Sequence, residues 1–305
     1  MSRTMSPFRY PGGKTQLYKF IKHTLEINHI TDGTYIEAFA GGAGLAIKLL
    51  TEGEVSNIWI NDYDKSIYSV WHAILHHPNQ LINKINEVPF DYYDDPLSEN
   101  NDTNNLAYWK SIKSLYIQEK NYQNSIDNAF ATLFLNRTTR SGIINGGPVG
   151  GYSQKGTKIY ARFNKKTLID KIKLINSRKN DITLTRIDAL KFIPILKESI
   201  DADNTFIFFD PPYYNQGNNL YFSSFTHNDH IAMSKSIMTL DDYNWITTYD
   251  NTNTIKDIYL NSDKKFEYDI RYTANNLKRG ISKEVMFSNN YTRIESFSNV
   301  ILKDI

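Results

Sequence analysis

Apolar and polar positions fall into blocks that read alternately as strands and helices. Thr34-Tyr35-Ile36-Glu37-Ala38-Phe39 is a short β-prone run that stops at Gly41-Gly42, and residues 45–50 then take up helical spacing. Strand, glycine turn and helix form the opening unit of a Rossmann-like sheet. Residues 55–60 predict a second strand, ending in Asn61-Asp62, and a helix follows over about 66–75. The alternation then stops. Residues 78–105 turn acidic and Asn-rich, through Asp91-Tyr92-Tyr93-Asp94-Asp95-Pro96, and predict a loop or weakly ordered insertion. Helical patterns return over 106–118 and 125–135. Residues 141–152 hold five glycines and Pro148, which predicts a long exposed loop.

Alternation resumes with a helix over 166–178, a strand over 182–187 ending at Asp188, and a helix over 190–197. Thr205-Phe206-Ile207-Phe208-Phe209 is the most apolar strand and suits the centre of a parallel sheet buried on both faces. Further strands are expected at 244–249, 266–272 and 284–287. The fold class is therefore α/β: a Rossmann-like sheet with a mainly helical insertion between its second and third strands.

With 305 residues and 40% hydrophobic content, the chain has enough apolar side chains for a sizeable core, and disorder is excluded. It contains no cysteine, which excludes disulfide scaffolds, thiolate-held metals and thiolate nucleophiles. No apolar run approaches the roughly 20 residues that span a bilayer, and the chain is expected in the cytoplasm of a bacterial or phage-infected cell. Net charge is +2, but residues 137–186 carry twelve Lys and Arg against two Asp, so this segment is +10 and the rest −8. Such a block meets phosphate backbones, or else forms a solvated helix face.

Three motifs carry candidate chemistry. The turn at residues 37–44 lets a ligand approach backbone N–H groups, and Asp62, about 20 residues on, can bond both hydroxyls of a ribose. The pair indicates a nucleoside-containing cofactor without separating NAD from S-adenosylmethionine. Gly13-Lys14-Thr15 copies the tail of a phosphate-binding P-loop, but Phe8 stands where the pattern needs glycine and no strand precedes it. His72 and His76 lack the glutamate of a zinc-protease pattern, and no metal site is expected.

Asp210-Pro211-Pro212-Tyr213 leaves the carboxyl end of the apolar strand, where open α/β sheets bind ligands. The prolines remove backbone donors, so the loop offers the Asp210 carboxylate and carbonyl acceptors beside an aromatic face. That set suits the exocyclic amine of a planar base. Hydrogen bonds drawn from both its N–H groups make the nitrogen more tetrahedral and more nucleophilic. Lack of cysteine argues against methylation at carbon 5 of cytosine, which needs covalent activation of the ring. Adenine N6 and cytosine N4, DNA and RNA, and a noncatalytic DNA-binding protein on the same fold stay open. A nicotinamide-dependent dehydrogenase would share only the first two motifs.

Residues 8–14, 37–44, Asn61-Asp62 and 210–213, in this order and spacing, resemble the Dam-type (D12 class) N6-adenine DNA methyltransferases. So do Leu135-Asn136-Arg137 with Ser141-Gly142, Arg162-Phe163-Asn164, and Asn219-Leu220-Tyr221 running to Asp229-His230. The resemblance implies a site-specific enzyme that methylates an adenine flipped out of duplex DNA. It implies S-adenosylmethionine bound by Tyr10, Lys14, Glu37, Phe39, Ala40, Gly41, Gly42, Asp62, Asp188 and Asp210, with Asp188 near the cofactor adenine. Asp210, Pro211, Pro212 and Tyr213 would form the catalytic loop.

It further implies a catalytic domain of residues 1–72 and 165–305, with residues 73–164 as target-recognition domain. DNA contacts are expected from Arg137, Arg140, Ser141, Lys155, Lys158, Arg162 and Asn164, and the protein as a monomer or weak dimer. The chain departs from the family pattern twice. Arg140 stands where many members have an aromatic residue, and Ala43 where simpler versions have glycine, which a negative φ would tolerate.

Overall fold

The computed structural model describes residues 4–10, 12–94, 100–215, 225–271 and 281–305. They divide into two compact units, one of Thr4, 12–63 and 181–305, the other of 5–11 and 64–180.

The first unit is built on an eight-stranded sheet. Its strands are β1 (Thr34–Glu37), β2 (Asn57–Asn61), β3 (Ile182–Thr185), β4 (Thr205–Phe209), β5 (Asn244–Asp250), β6 (Lys264–Arg271), β7 (Ile281–Ser288) and β8 (Lys303–Asp304). They lie in the order β3-β2-β1-β4-β5-β7-β6-β8. The first five are parallel, and β7 runs antiparallel between β5 and β6. β4 is buried at every position, as its unbroken apolar run requires. Ile36, Ile207, Phe209, Trp245, Tyr249 and Phe287 pack with Phe192, Leu196, Met233 and Ile237 of the helices Ala189–Ser199 and His227–Ile237.

The expected strands and helices of this unit are present within a few residues. The strand foreseen to residue 272 is described through Arg271. The helix Tyr18–Ile27 carried no expectation, nor did His227–Ile237.

The second unit is mainly helical: Lys65–His76, Pro78–Glu87, Asn100–Glu119, Ile126–Thr138 and Lys165–Ser177. Its core is aromatic, with the Phe134 ring within 6 Å of both Phe90 (tilted) and Phe163 (edge-to-face) and with Phe8 against Trp71. Two expectations need correction. Residues 78–87 are a helix rather than loop, because Pro78 sits at the first turn, where no N–H is needed, and Leu81 and Ile85 bury one stripe. The glycine-rich stretch 141–152 is irregular but tied down. The buried Gln154 side chain donates to the Val149 and Gly151 carbonyls and accepts the Ile159 N–H. This unit takes in the helices Lys65–His76 and Lys165–Ser177, most of which the sequence reading set outside residues 73–164. Among the described residues, no helix is long and apolar enough to cross a membrane.

Candidate active site

The carboxyl ends of β1, β2 and β4 carry the predicted chemistry of the first unit. The Asn61 side chain, at the end of β2, ties the ends of β1 and β3 to its own strand. Its Nδ2 donates to the carbonyls of Ala38 and Ile187, and its Oδ1 accepts from Thr185 Oγ1 and the Ile187 N–H, all at 2.9–3.0 Å. Those four bonds fix the glycine turn, Asp62 and the approach to Asp188. The sequence reading noted Asn61 only as the neighbour of Asp62.

Asp62 Oδ2 accepts the N–H of Gly41, which has φ +49°, at 2.7 Å. Ala40 donates to the Asn61 carbonyl at 2.9 Å. Phe39 is half-buried, Ala40, Gly41 and Gly42 are buried, and Asp188 caps the helix Ala189–Ser199 by accepting the Leu190 N–H. Ala43 has φ +41°, so the negative φ that would accommodate alanine without strain is not met. The chain must turn left-handed there to start the helix Gly44–Thr51. Glu37 faces inward. Its Oε1 accepts the Ala46 N–H and the Tyr35 hydroxyl, and burial together with the Asp210 charge raises its pKa to about 8.

Asp210 and Tyr213 converge with Lys14, which is 5% exposed. Lys14 Nζ lies 3.1 Å from Asp210 Oδ1 and 3.3 Å from Glu284 Oε1, and it donates to the Tyr213 hydroxyl. Thr248 Oγ1 donates to the same Asp210 oxygen at 2.9 Å. Burial raises the Asp210 pKa to about 6; Lys14 opposes that shift and Glu284 adds to it. Pro211 and Pro212 are buried, and Tyr213 is half-buried. Asp250, at the end of β5, accepts the N–H groups of Tyr214 and Asn215 and so pins the far side of the loop. Glu284 escaped the sequence reading, although an acid opening the apolar run Val285-Met286-Phe287 is a signal in itself.

The predicted DNA contacts and Tyr10 lie in the second unit, whereas Asp229 and His230 belong to the first. Tyr10 is half-buried beside Arg9. The Arg9 backbone exchanges two hydrogen bonds with the Asn136 side chain, at 2.7 and 3.0 Å. Arg137 Nε donates to the Arg162 carbonyl at 2.9 Å. Burial and the charges of Arg9 and Arg162 lower the Arg137 pKa to about 10. Among the described residues, none of these three arginines has a carboxylate within 4.0 Å. Arg140 and Lys155 are exposed, and Ser141 holds φ +55°. Lys158 is bonded to Asp102, and Asn164 Oδ1 caps the helix Lys165–Ser177 by accepting the Thr167 N–H. Asp229 forms a capping box with Thr226, while His230 is buried against Tyr214, Phe225 and Tyr249. Asn219-Leu220-Tyr221 and Pro11 lie outside the described residues.

A sheet whose first five strands are parallel thus presents an acceptor-rich Asp-Pro-Pro-Tyr loop at the carboxyl end of β4, where open α/β sheets bind their ligands. The family described as D12 class N6 adenine-specific DNA methyltransferase matches residues 10–278, and the chain belongs to it. The chain is 25% identical over 246 residues to the Type II methyltransferase M.MjaIII of Methanocaldococcus jannaschii, covering 78% of this chain and 81% of that protein. It is 24% identical over 229 residues to the Type II methyltransferase M1.LlaDCHI of Lactococcus lactis subsp. cremoris, covering 73% and 71%. Among solved structures, the rRNA methyltransferase aviRa of Streptomyces viridochromogenes aligns over 91% of this chain and 86% of that one, at 10% identity and TM-score 0.37. Family membership makes the protein an N6-adenine-specific DNA methyltransferase.

Proposed function

We propose that the protein transfers the methyl group of S-adenosylmethionine to N6 of an adenine flipped out of duplex DNA at a specific site. The observation that carries this reading is Asp210, held at the end of β4 by Lys14 and Thr248 through one oxygen, beside the Tyr213 ring. The Asp210 carboxylate and the Pro211 carbonyl accept the two N–H groups of the target amine, and the Tyr213 ring stacks on the base. As the nitrogen gains the methyl group it gives up a proton, which the Asp210 carboxylate receives.

The residues present fit the cofactor. The left-handed turn at Gly41 brings Asp62 against the start of the following helix, where a carboxylate can meet ribose hydroxyls. Phe39 offers an apolar face, and Asp188 sits at the neighbouring strand end. When bound, S-adenosylmethionine supplies an electrophilic methyl group on a sulfonium.

The second unit is the DNA-recognition unit in this reading. Arg9, Arg137 and Arg162 crowd together without a carboxylate, and an array of guanidinium groups suits phosphate oxygens. Arg140 and Lys155 are exposed in the same unit and offer further cations for phosphates. Lys158 and Asn164 already have partners within the unit, in Asp102 and the Thr167 N–H. Relatives named Type II methyltransferases make a restriction-modification setting the natural context.

The test is incubation of the protein with methyl-labelled S-adenosylmethionine and unmethylated duplex DNA, followed by nucleoside mass spectrometry. N6-methyladenine in the duplex is the expected product. Label confined to N4-methylcytosine or to RNA would replace the substrate while keeping the site.

A further inference from the structure

We infer that Glu284 is a positioning residue for methyl transfer: its buried carboxylate on β7 holds the Tyr213 ring and the Lys14 ammonium in place beside Asp210. The inference rests on the reading of Tyr213 as the wall on which the base stacks and of Asp210 as the acceptor of the amine.

Glu284 is 1% exposed and faces Asp250 of β5 on one side and Tyr268 of β6 on the other. A carboxylate so placed is costly unless donors or cations meet it. Here Oε1 accepts the Tyr213 hydroxyl and the Lys14 ammonium, and Oε2 accepts the Tyr268 hydroxyl. A phenol has one proton to give, and Tyr213 gives it to Glu284 while its oxygen accepts from Lys14. The hydroxyl is thus engaged within the protein, and the ring is the part left to meet a base. Lys14 Nζ also lies 4.8 Å from the centre of that ring.

Glu284 therefore acts on two groups at once. It locks the torsions of Tyr213, and it competes with Asp210 for the charge of Lys14. The titratable groups around the cluster are Lys14, Asp210 and Tyr213, with Glu37 and Tyr35 from β1, Tyr249 and Asp250 from β5, and Tyr268 from β6. Two carboxylates sharing one ammonium work against each other. Removing the charge at 284 makes ionisation of Asp210 easier.

The experiment compares Glu284→Gln, Tyr213→Phe and the double variant with the parent protein. Methylation of an adenine-containing duplex is followed from pH 5 to pH 9, and urea midpoints are measured alongside. Glu284→Gln is expected to lower kcat by roughly tenfold to a hundredfold, the scale of a displaced reacting group, with KM for the methyl donor unchanged. Its acidic limb in kcat/KM should move to lower pH, which loss of packing alone would not cause. The double variant should lose no more than the slower single one, in rate and in urea midpoint.

Losses that multiply, or an acidic limb that stays put in a folded Glu284→Gln protein, would overturn the inference. Tyr213→Phe keeps the ring and deletes the hydroxyl, so it decides the matter by itself if Glu284→Gln does not fold: an unchanged kcat sinks the proposal. A parent protein that leaves adenine unmethylated would overturn the reading of the site. The coupling in urea midpoints would still score Glu284, because it needs no substrate.

Discussion

The Glu37 carboxyl, at the end of β1, accepts the N–H of Ala46 in the first turn of the following helix, at 3.1 Å. Burial holds its pKa at about 8 against 4.5 for an ordinary glutamate, so at neutral pH it caps the helix mostly in its protonated form. The folded chain thus keeps a proton that the unfolded chain releases. The stability this provides is complete below about pH 4.5 and is lost as pH rises to about 8. Glu37→Gln, neutral throughout, should remove this slope. Urea midpoints at pH 5 and pH 8 should converge in the variant, relative to the parent; equal slopes would refute the assignment.

Asp210 must be ionised to accept the amine and take its proton. With its pKa near 6, kcat/KM should fall tenfold per pH unit below about pH 6. Asp210→Asn should lower turnover by about a thousandfold, the scale of one lost transition-state contact. Calorimetric binding of S-adenosylmethionine should persist. Turnover at the parental rate would rule out the role given to Asp210.

Ala43 holds φ +41°, where a Cβ is strained and glycine is not. Ala43→Gly should raise stability by about 0.5–1 kcal/mol, the relieved strain exceeding the extra freedom of the unfolded chain. Thermal unfolding checks this, and a lower midpoint contradicts it.

Asn61→Ala leaves two carbonyls, one backbone N–H and one threonine hydroxyl without their partner. A loss of about 2–4 kcal/mol is expected, since each deprived buried group costs about 1 kcal/mol or more. Affinity for S-adenosylmethionine should fall with it, because the turn and Asp62 lose their common brace. Undiminished affinity in a folded variant would separate Asn61 from the cofactor site.

Arg9→Ala and Arg137→Ala should weaken DNA binding about equally for all sequences. Each should lower the slope of log affinity against log salt by about one. A change confined to one sequence would mark a base contact instead.

The parallel core of the first unit was legible because continuous apolar runs and glycine turns report local structure directly. The motif residues Asp210, Tyr213 and Asp62 also stood out, whereas Lys14 entered only through the resemblance to the family. What escaped were partnerships across the chain. Residues 78–87 look polar because only Leu81 and Ile85 of the helix are buried, so composition hid the stripe. Lys158 and Asn164 are engaged by Asp102 and the Thr167 N–H, and no window of sequence shows those partners. Glu284 lay in an expected strand, and only the register of β7 reveals what it faces.

Lys14 and Glu284 are 270 positions apart, yet they share one buried hydrogen bond. On the ribosome, the lysine is made long before its acceptor exists. The first five strands of the sheet can assemble while Lys14 still lacks that acceptor, and the cluster closes only when β7 is inserted between β5 and β6. Contacts of such separation form late and slowly. A nascent or truncated chain lacking β7 would hold only the five parallel strands, with the Lys14 cluster still open, so methylation competence should arrive as one of the final events of folding.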